Sequence, residues 1–420
     1  MKLRRFISMM LIVTMLTVFA GCGNKDDRTQ AARTLNLDGP ITVNVWFNNS
    51  DYEPYLEFVA KQFKQANELV TINPVYVEAD SYINYIYDES VRNDNACDLY
   101  FLTSEEIEKA YLMGLMSEND MYPQVYNEDV FGKAAMTACS YNGKLYGYPL
   151  TADNGYFMYY NKNYFSDSDV ATLDGMLDIA GANGKYLTMD WSSGWYLYSF
   201  FGNTGLDFGV NDDGVTNHCN WNAIITDIKG VDIAQAMLDI AAKPGFKNCV
   251  QDDFIAGVQD GSIIAGVSGC WNAAKIKELW GDDYGAVKLP TYTCAGQQIQ
   301  MSSFKGYKYM AVNAYTKYPE WANKLAQWFT NEDNQKLRFE MKNAGPANKA
   351  AAADDAVKKV PAIMAVMDQA QYGKLQRVGN SYWDAATEFG EKMAAGNPDN
   401  TDLQEIMDNL VAGITQSVAE

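Results

Sequence analysis

The chain has 420 residues, 48% hydrophobic and 20% charged, a globular composition with room for two domains or more. Acids outnumber bases 53 to 33, for a net charge of −20, which argues against nucleic acid because a phosphate-binding face must be basic. The one histidine, His218, rules out a multi-histidine zinc centre. It reads as a surface-loop residue within residues 211–222, not as the base of a Ser-His-Asp or Cys-His enzyme. Aromatics are abundant, with 9 Trp, 28 Tyr and 18 Phe. Beyond core packing, they suit a surface that stacks on flat, partly apolar ligands.

The N-terminus reads as an address. Lys2, Arg4 and Arg5 precede an uncharged run over residues 6–19, followed by Ala20, Gly21 and Cys22. That order predicts a secretory signal over residues 1–21. The apolar run is shorter than the roughly 20 residues of a membrane span. Phe19-Ala20-Gly21-Cys22 resembles a bacterial lipoprotein box, which implies that Cys22 becomes the acylated N-terminus, with palmitate among its lipids. Residues 22–38 are polar and read as a flexible tether. No later segment is long and apolar enough to span a bilayer. The expected location is the extracytoplasmic face of the cell membrane, held there by lipid alone. Six further cysteines, at 97, 139, 219, 249, 270 and 294, leave disulfide pairing open.

Residues 41–47 (ITVNVWF) alternate apolar and polar side chains and predict a strand. Trp46 falls in that pattern as a core residue. Residues 54–68 predict a helix with Pro54 near its first turn. Strands follow at 70–77 and 97–102, then a helix capped by Ser104 with Glu105 and Glu106 in its first turn. Further strands are expected at 143–150, 156–160, 263–267, 284–289 and 308–312. Helices are expected at 173–180, 231–242, 253–259, 272–280, 319–329 and 331–341, with a turn at residues 211–214. The end is helical, over 353–371, 382–395 and 402–418. The order predicts two α/β lobes, each with its own sheet, and a helical tail.

Several segments together resemble the extracellular solute-binding proteins of ABC sugar importers, and within them the maltose/maltodextrin-binding members. Residues 43–51 (VNVWFNNSD) match the first strand and ligand loop, and residues 95–102 (NACDLYFL) a following strand. Residues 146–162 (YGYPLTADNGYFMYYNK) match the hinge crossover, and residues 265–272 (AGVSGCWN) and 285–290 (GAVKLP) later strands. Residues 325–346 match a helix pair, and Ser381-Tyr382-Trp383 the last ligand loop. Asp153 stands where the family has glutamate, Ser104-Glu105 where it has Asp-Arg, and Cys270 replaces a proline.

The resemblance implies a two-lobed α/β fold of the type II periplasmic-binding-protein class, with a hinge and an interlobe ligand cleft. One lobe would hold residues 39–150 and 304–345, the other 151–303 and 346–420. It implies a monomeric binding protein rather than an enzyme, without cofactor or metal. Its ligand would be a neutral oligosaccharide, a maltodextrin first, delivered to a permease and its ATPase. A pyranose offers one apolar face for an aromatic ring and a rim of hydroxyls that need polar partners. Trp195, Trp271 and Trp383 are the expected platforms. Asp153, Asn48, Asn49, Asp51 and Glu105 are the expected polar partners, with Tyr156, Asn272, Tyr82 and Arg377 beside them. Glu105 also suits plain dipole stabilisation of its helix, and Asp51 suits capping ahead of Pro54.

Two other functions stay open on the residues. Asp153 and Glu105 could form a glycosidase carboxylate pair. The negative charge could instead draw a cationic peptide.

Overall fold

The alternating, β-branched residues 41–47 form the strand their pattern predicts, with Val43, Val45 and Phe47 buried. The computed structural model describes residues 35, 37–79, 81–92 and 96–417. The signal over residues 1–21, Cys22 and nearly all of the tether lie outside them.

Ten strands join in one sheet among the described residues. They are β1 (Ile41–Phe47), β2 (Val70–Tyr76), β3 (Leu99–Thr103), β4 (Gly147–Asn161) and β5 (Tyr186–Met189). Then come β6 (Phe246–Asn248), β7 (Ile263–Gly269), β8 (Tyr284–Val287), β9 (Ser303–Val312) and β10 (Gly373–Leu375). The order is β6-β5-β7-β4-β9-β3-β1-β2, with β8 beside β4 and β10 beside β9. β1, β2 and β3 run parallel, as do β5, β6 and β7. The two parallel groups meet through β4 and β9, which run antiparallel to each other.

Two separate sheets and two strands at 143–150 and 156–160 were the expectation. The structure has one strand of 15 residues serving both groups. Its first part pairs with β9, and its last part, from Tyr156, pairs with β7 and β8. Residues 151–154 fall between the two expected strands, yet they are extended and paired. Thr151 bridges Pro346, and Ala152 N–H donates to the Gly345 carbonyl at 3.1 Å.

Helices cover the sheet: α1 (Glu53–Ala66), α2 (Tyr82–Arg92), α3 (Glu128–Ala138), α4 (Gly194–Phe201), α5 (Pro319–Thr330), α6 (Glu332–Lys342) and α7 (Ser381–Ala394) are those nearest the site. α1 and α5 start with proline in the first turn, where the missing N–H costs nothing. The Tyr55 hydroxyl on α1 donates to the carbonyls of Phe329 and Asn334. α2 and α3 lie in stretches whose periodicity did not stand out. Asn127 caps α3 by accepting from the N–H groups of Asp129 and Val130.

The helix expected over 353–371 is three short ones, Lys349–Ala352, Asp355–Lys358 and Pro361–Gln369. Asp354 caps the second through Ala356 N–H, and Pro361 opens the third. Each is a start signal that interrupts the preceding turn.

One hydrophobic core gathers Trp46, Ile83, Ile86, Tyr100, Leu102 and Tyr309. Another gathers Tyr156, Trp191, Phe201, Trp221, Phe304 and Tyr382. β9 thus feeds both, with Tyr309 in one and Phe304 in the other. All six cysteines among the described residues are free thiols.

Candidate functional site

Parallel strands place their C-terminal ends together, and the loops leaving those ends are where α/β sheets hold ligands. Asn48 and Asn49 leave β1, Thr103 ends β3, and Glu106 follows it. With Tyr52, Phe101 and Lys308 of β9 they line a cavity of about 260 Å³. The Tyr52 ring lies 5.1 Å from that of Phe101. The guanidinium carbon of Arg338, on α6, is 4.9 Å from the Tyr52 centroid, and Lys308 Nζ is 5.9 Å from it.

The charges here are held in a dry setting. Thr103 Oγ1 donates to Glu106 Oε2 at 3.0 Å, yet burial raises the Glu106 carboxyl above its ordinary range. Burial raises Glu105 too, and its Oε2 has no hydrogen-bond partner. For Lys308, burial favours the neutral form, but Tyr52 and Asp153 outweigh it and the ammonium pKa rises. Asp153 itself accepts from Gly345 N–H at 2.6 Å. Arg338 is buried, and its Nε and Nη1 have no hydrogen-bond partner.

A second cluster lies at the ends of β5 and β7. Trp195, Tyr196, Trp271, Asp190, Gln251 and Ser268 are among the walls of a cavity of about 220 Å³. The Trp195 and Trp271 rings are 5.6 Å apart at 34°. Trp271 is 46% exposed, a large apolar surface left open to solvent. Each indole N–H is fixed by an amide: Trp271 Nε1 donates to Gln251 Oε1, and Trp195 Nε1 to Gln376 Oε1, both at 2.7 Å. Fixed indoles beside hydroxyl and carboxamide groups can stack on one face of a ring and bond its rim.

The other expected site residues have separate places. Tyr156 is fully buried behind Trp195, 4.6 Å from its ring, and donates to its carbonyl at 2.9 Å. Asn272 is buried and donates to Ser268 Oγ. Trp383 lines neither cavity; it is half-buried, with its ring 5.1 Å from Tyr382 and 6.4 Å from Phe304. Tyr82 is buried in the core beneath α2, its hydroxyl without a partner. Arg377 donates to backbone carbonyls at the end of α3. The Asp51 side chain lies outside what the structure describes. His218, expected in a loop, sits exposed on a short strand, Asn217–Cys219, with Nδ1 3.1 Å from Asn211 Oδ1.

Sequence reasoning passed over Tyr52, Glu106, Lys308, Gln251 and Gln376. Pro54 two residues on marks Tyr52 as a helix entry, a usable signal. The two glutamines carry none.

No group of three or more His, Cys, Asp or Glu able to hold a metal occurs among the described residues, and no described helix is long and apolar enough to cross a membrane. Residues 59–365 match the model of a family described as bacterial extracellular solute-binding protein. The chain belongs to that family. Its relatives are solute-binding proteins rather than enzymes. This solute-binding protein is 27% identical to the maltodextrin-binding protein MdxE of Bacillus subtilis, over 74% of each chain. It is 25% identical to a galactooligosaccharide-binding protein of the same species, over 95% of this chain and 94% of the relative. A maltooligosaccharide ABC transporter solute-binding lipoprotein of Streptococcus pneumoniae is 25% identical over 83% and 81%.

Among solved structures, the ligand-free maltodextrin-binding protein MalE1 of L. casei matches with a TM-score of 0.78 at 20% identity, over 90% of this chain and 100% of that one. A cyclo/maltodextrin-binding protein with maltotetraose matches at 0.75 and 20% identity, over 90% and 98%. The solute-binding protein therefore has the two-lobed type II periplasmic-binding fold.

Proposed function

We propose that this chain is the substrate-binding lipoprotein of an ABC importer, and that it holds a neutral oligosaccharide, a maltodextrin first, between closing lobes. The observation that carries the reading is the Trp195–Trp271 pair, fixed by Gln251 and Gln376 at the strand ends. Asn48, Asn49, Glu106 and Lys308 supply hydroxyl partners from the other strand group, with Asp153 beside Lys308. Relatives named for maltodextrin and maltooligosaccharide support the ligand class. The lobes divide at residues 150/151, 303/304 and 345/346. Cys22 carries the lipid, the protein acts as a monomer outside the membrane, and a permease with its ATPase receives the sugar.

Calorimetric titration across glucose, maltose, maltotriose, longer α-glucans and galactooligosaccharides tests this. Tight binding of an α-glucan supports it; heat from none of them refutes it. A galactooligosaccharide is the second reading, because the relative named for it aligns over nearly the whole chain.

A further inference from the structure

An indole N–H can only donate. At Trp271 this fixes more than the ring. Trp271 Nε1 donates to Gln251 Oε1 at 2.7 Å, so the oxygen of the Gln251 amide is turned to the indole. The oxygen and nitrogen of a carboxamide lie on opposite sides of one carbon, and Gln251 Nε2 is therefore turned away from the indole edge. The reverse orientation would set N–H against N–H. The neighbour thus dictates the polarity of this side chain.

Gln251 is placed to use that nitrogen. It opens the helix Gln251–Asp260 just past β6, is exposed, and lines the cavity shared by Trp195, Trp271 and Asp190. The indole donors of that cavity are spent, Trp195 Nε1 on Gln376 Oε1 and Trp271 Nε1 on Gln251 itself. The Asp190 carboxylate is an acceptor, already taking the Ser192 N–H and hydroxyl on Oδ1. Ser268 Oγ accepts from Asn272 Nδ2 at 2.9 Å. A sugar hydroxyl can give its hydrogen to such acceptors, whereas ring and glycosidic oxygens only accept and need a donor. A pyranose stacked on an indole brings its rim to the edge of the ring, and Gln251 stands at that edge.

We propose that Gln251 is a specificity-determining contact: Nε2 donates to an acceptor oxygen of the saccharide stacked on Trp271, while Oε1 holds the ring. The inference rests on the proposed function for the ligand class and adds the atom that reads it. Because the indole turns the amide, the sugar meets a donor here and not an acceptor.

The test uses the full chain as wild type, Q251E and Q251M, with maltotriose as the probe. Glutamate keeps an oxygen for the indole and, ionised, has no donor; methionine keeps the length and has neither. In the wild type, the Gln251 side-chain NH2 resonances, assigned through bonds, shift on saturation with maltotriose. The Trp271 indole N–H resonance stays near its wild-type position in Q251E and moves in Q251M. By calorimetry, affinity falls at least about tenfold in Q251E and further in Q251M. NH2 resonances that do not move in the saturated wild type overturn the contact, and they decide even if a variant does not fold. A folded Q251E that binds as tightly as wild type also overturns it, leaving Gln251 as a support for the ring alone. A wild type that binds no saccharide refutes the proposed function, and the contact falls with it; a wild type that binds while these resonances stay fixed refutes the contact alone.

Discussion

The Trp271 indole fills the space in which a side chain on Gly269 would begin. A β-carbon built there would sit 2.0 Å from Trp271 Cζ3 and 2.2 Å from Cη2. The strand β7 thus ends on the one residue that leaves room for the indole. Gly269→Ala is expected to push the ring off its seat and away from Gln251. Overpacking of this kind costs about 1–3 kcal/mol. Calorimetry should show saccharide affinity lowered by at least about tenfold, the equivalent of ~1.4 kcal/mol. Wild-type affinity would show that the position of this ring does not matter.

Trp271→Ala separates binding from stability. The ring is 46% exposed, so its loss should change the unfolding free energy by less than about 0.5 kcal/mol. Loss of an aromatic anchor from a recognition surface costs about 2 kcal/mol or more. Denaturant melts should overlay while titration curves separate.

Tyr156→Phe should act the opposite way. The buried hydroxyl donates to the Trp195 carbonyl and accepts from Ser199 Oγ and Phe304 N–H. Its removal leaves the Phe304 N–H buried and unpaired, a penalty of about 1–3 kcal/mol. A lowered midpoint in urea checks this, and an unchanged midpoint would contradict the bond.

Glu105→Gln should stabilise the protein at neutral pH. Burial, more than repulsion from Glu106, holds the Glu105 carboxyl above its unfolded value of 4.5. Below that value both states are protonated and the substitution is nearly neutral. As pH rises, the unfolded chain ionises first and draws the equilibrium towards itself, so stability falls through the folded pKa. Thermal melts at pH 4 and pH 7.5 should show the variant gaining only at the higher pH. A gain of the same size at both would exclude ionisation as the cause.

Reductant should leave the melting temperature unchanged, because the six thiols at 97, 139, 219, 249, 270 and 294 are free. Mass analysis after alkylation in denaturant, without prior reduction, should find all six modified. Any protected pair would reveal a disulfide.

Much of the fold is written in local pattern. Residues 41–47 carry one face of a strand in every second position, and β1 has those bounds. Pro319 and the apolar Trp321, Leu325 and Phe329 mark α5 in the same way. The long β4 is not written locally: residues 151–154 fall between two expected strands, and Gly345 and Pro346, which pair with them, lie some 190 residues away in sequence. The site shows the same division. Trp195 and Trp271 stand out by residue type and by resemblance, while their amide partners Gln251 and Gln376 do not. Glu105 and Glu106 were a single first turn in the sequence. The 3₁₀ geometry of Ser104–Glu106 turns each residue further than an α-helix does, and it is Glu106 that lines the cavity.

The 15-residue β4 also bears on how this molecule can be dissected. A fragment cut at either end of it would leave a naked row of amides and carbonyls along Ser303–Val312 or along Ile263–Gly269. Such bare edges recruit one another and precipitate. Among the described residues the two parallel strand groups share one spine, so a cut there exposes both at once.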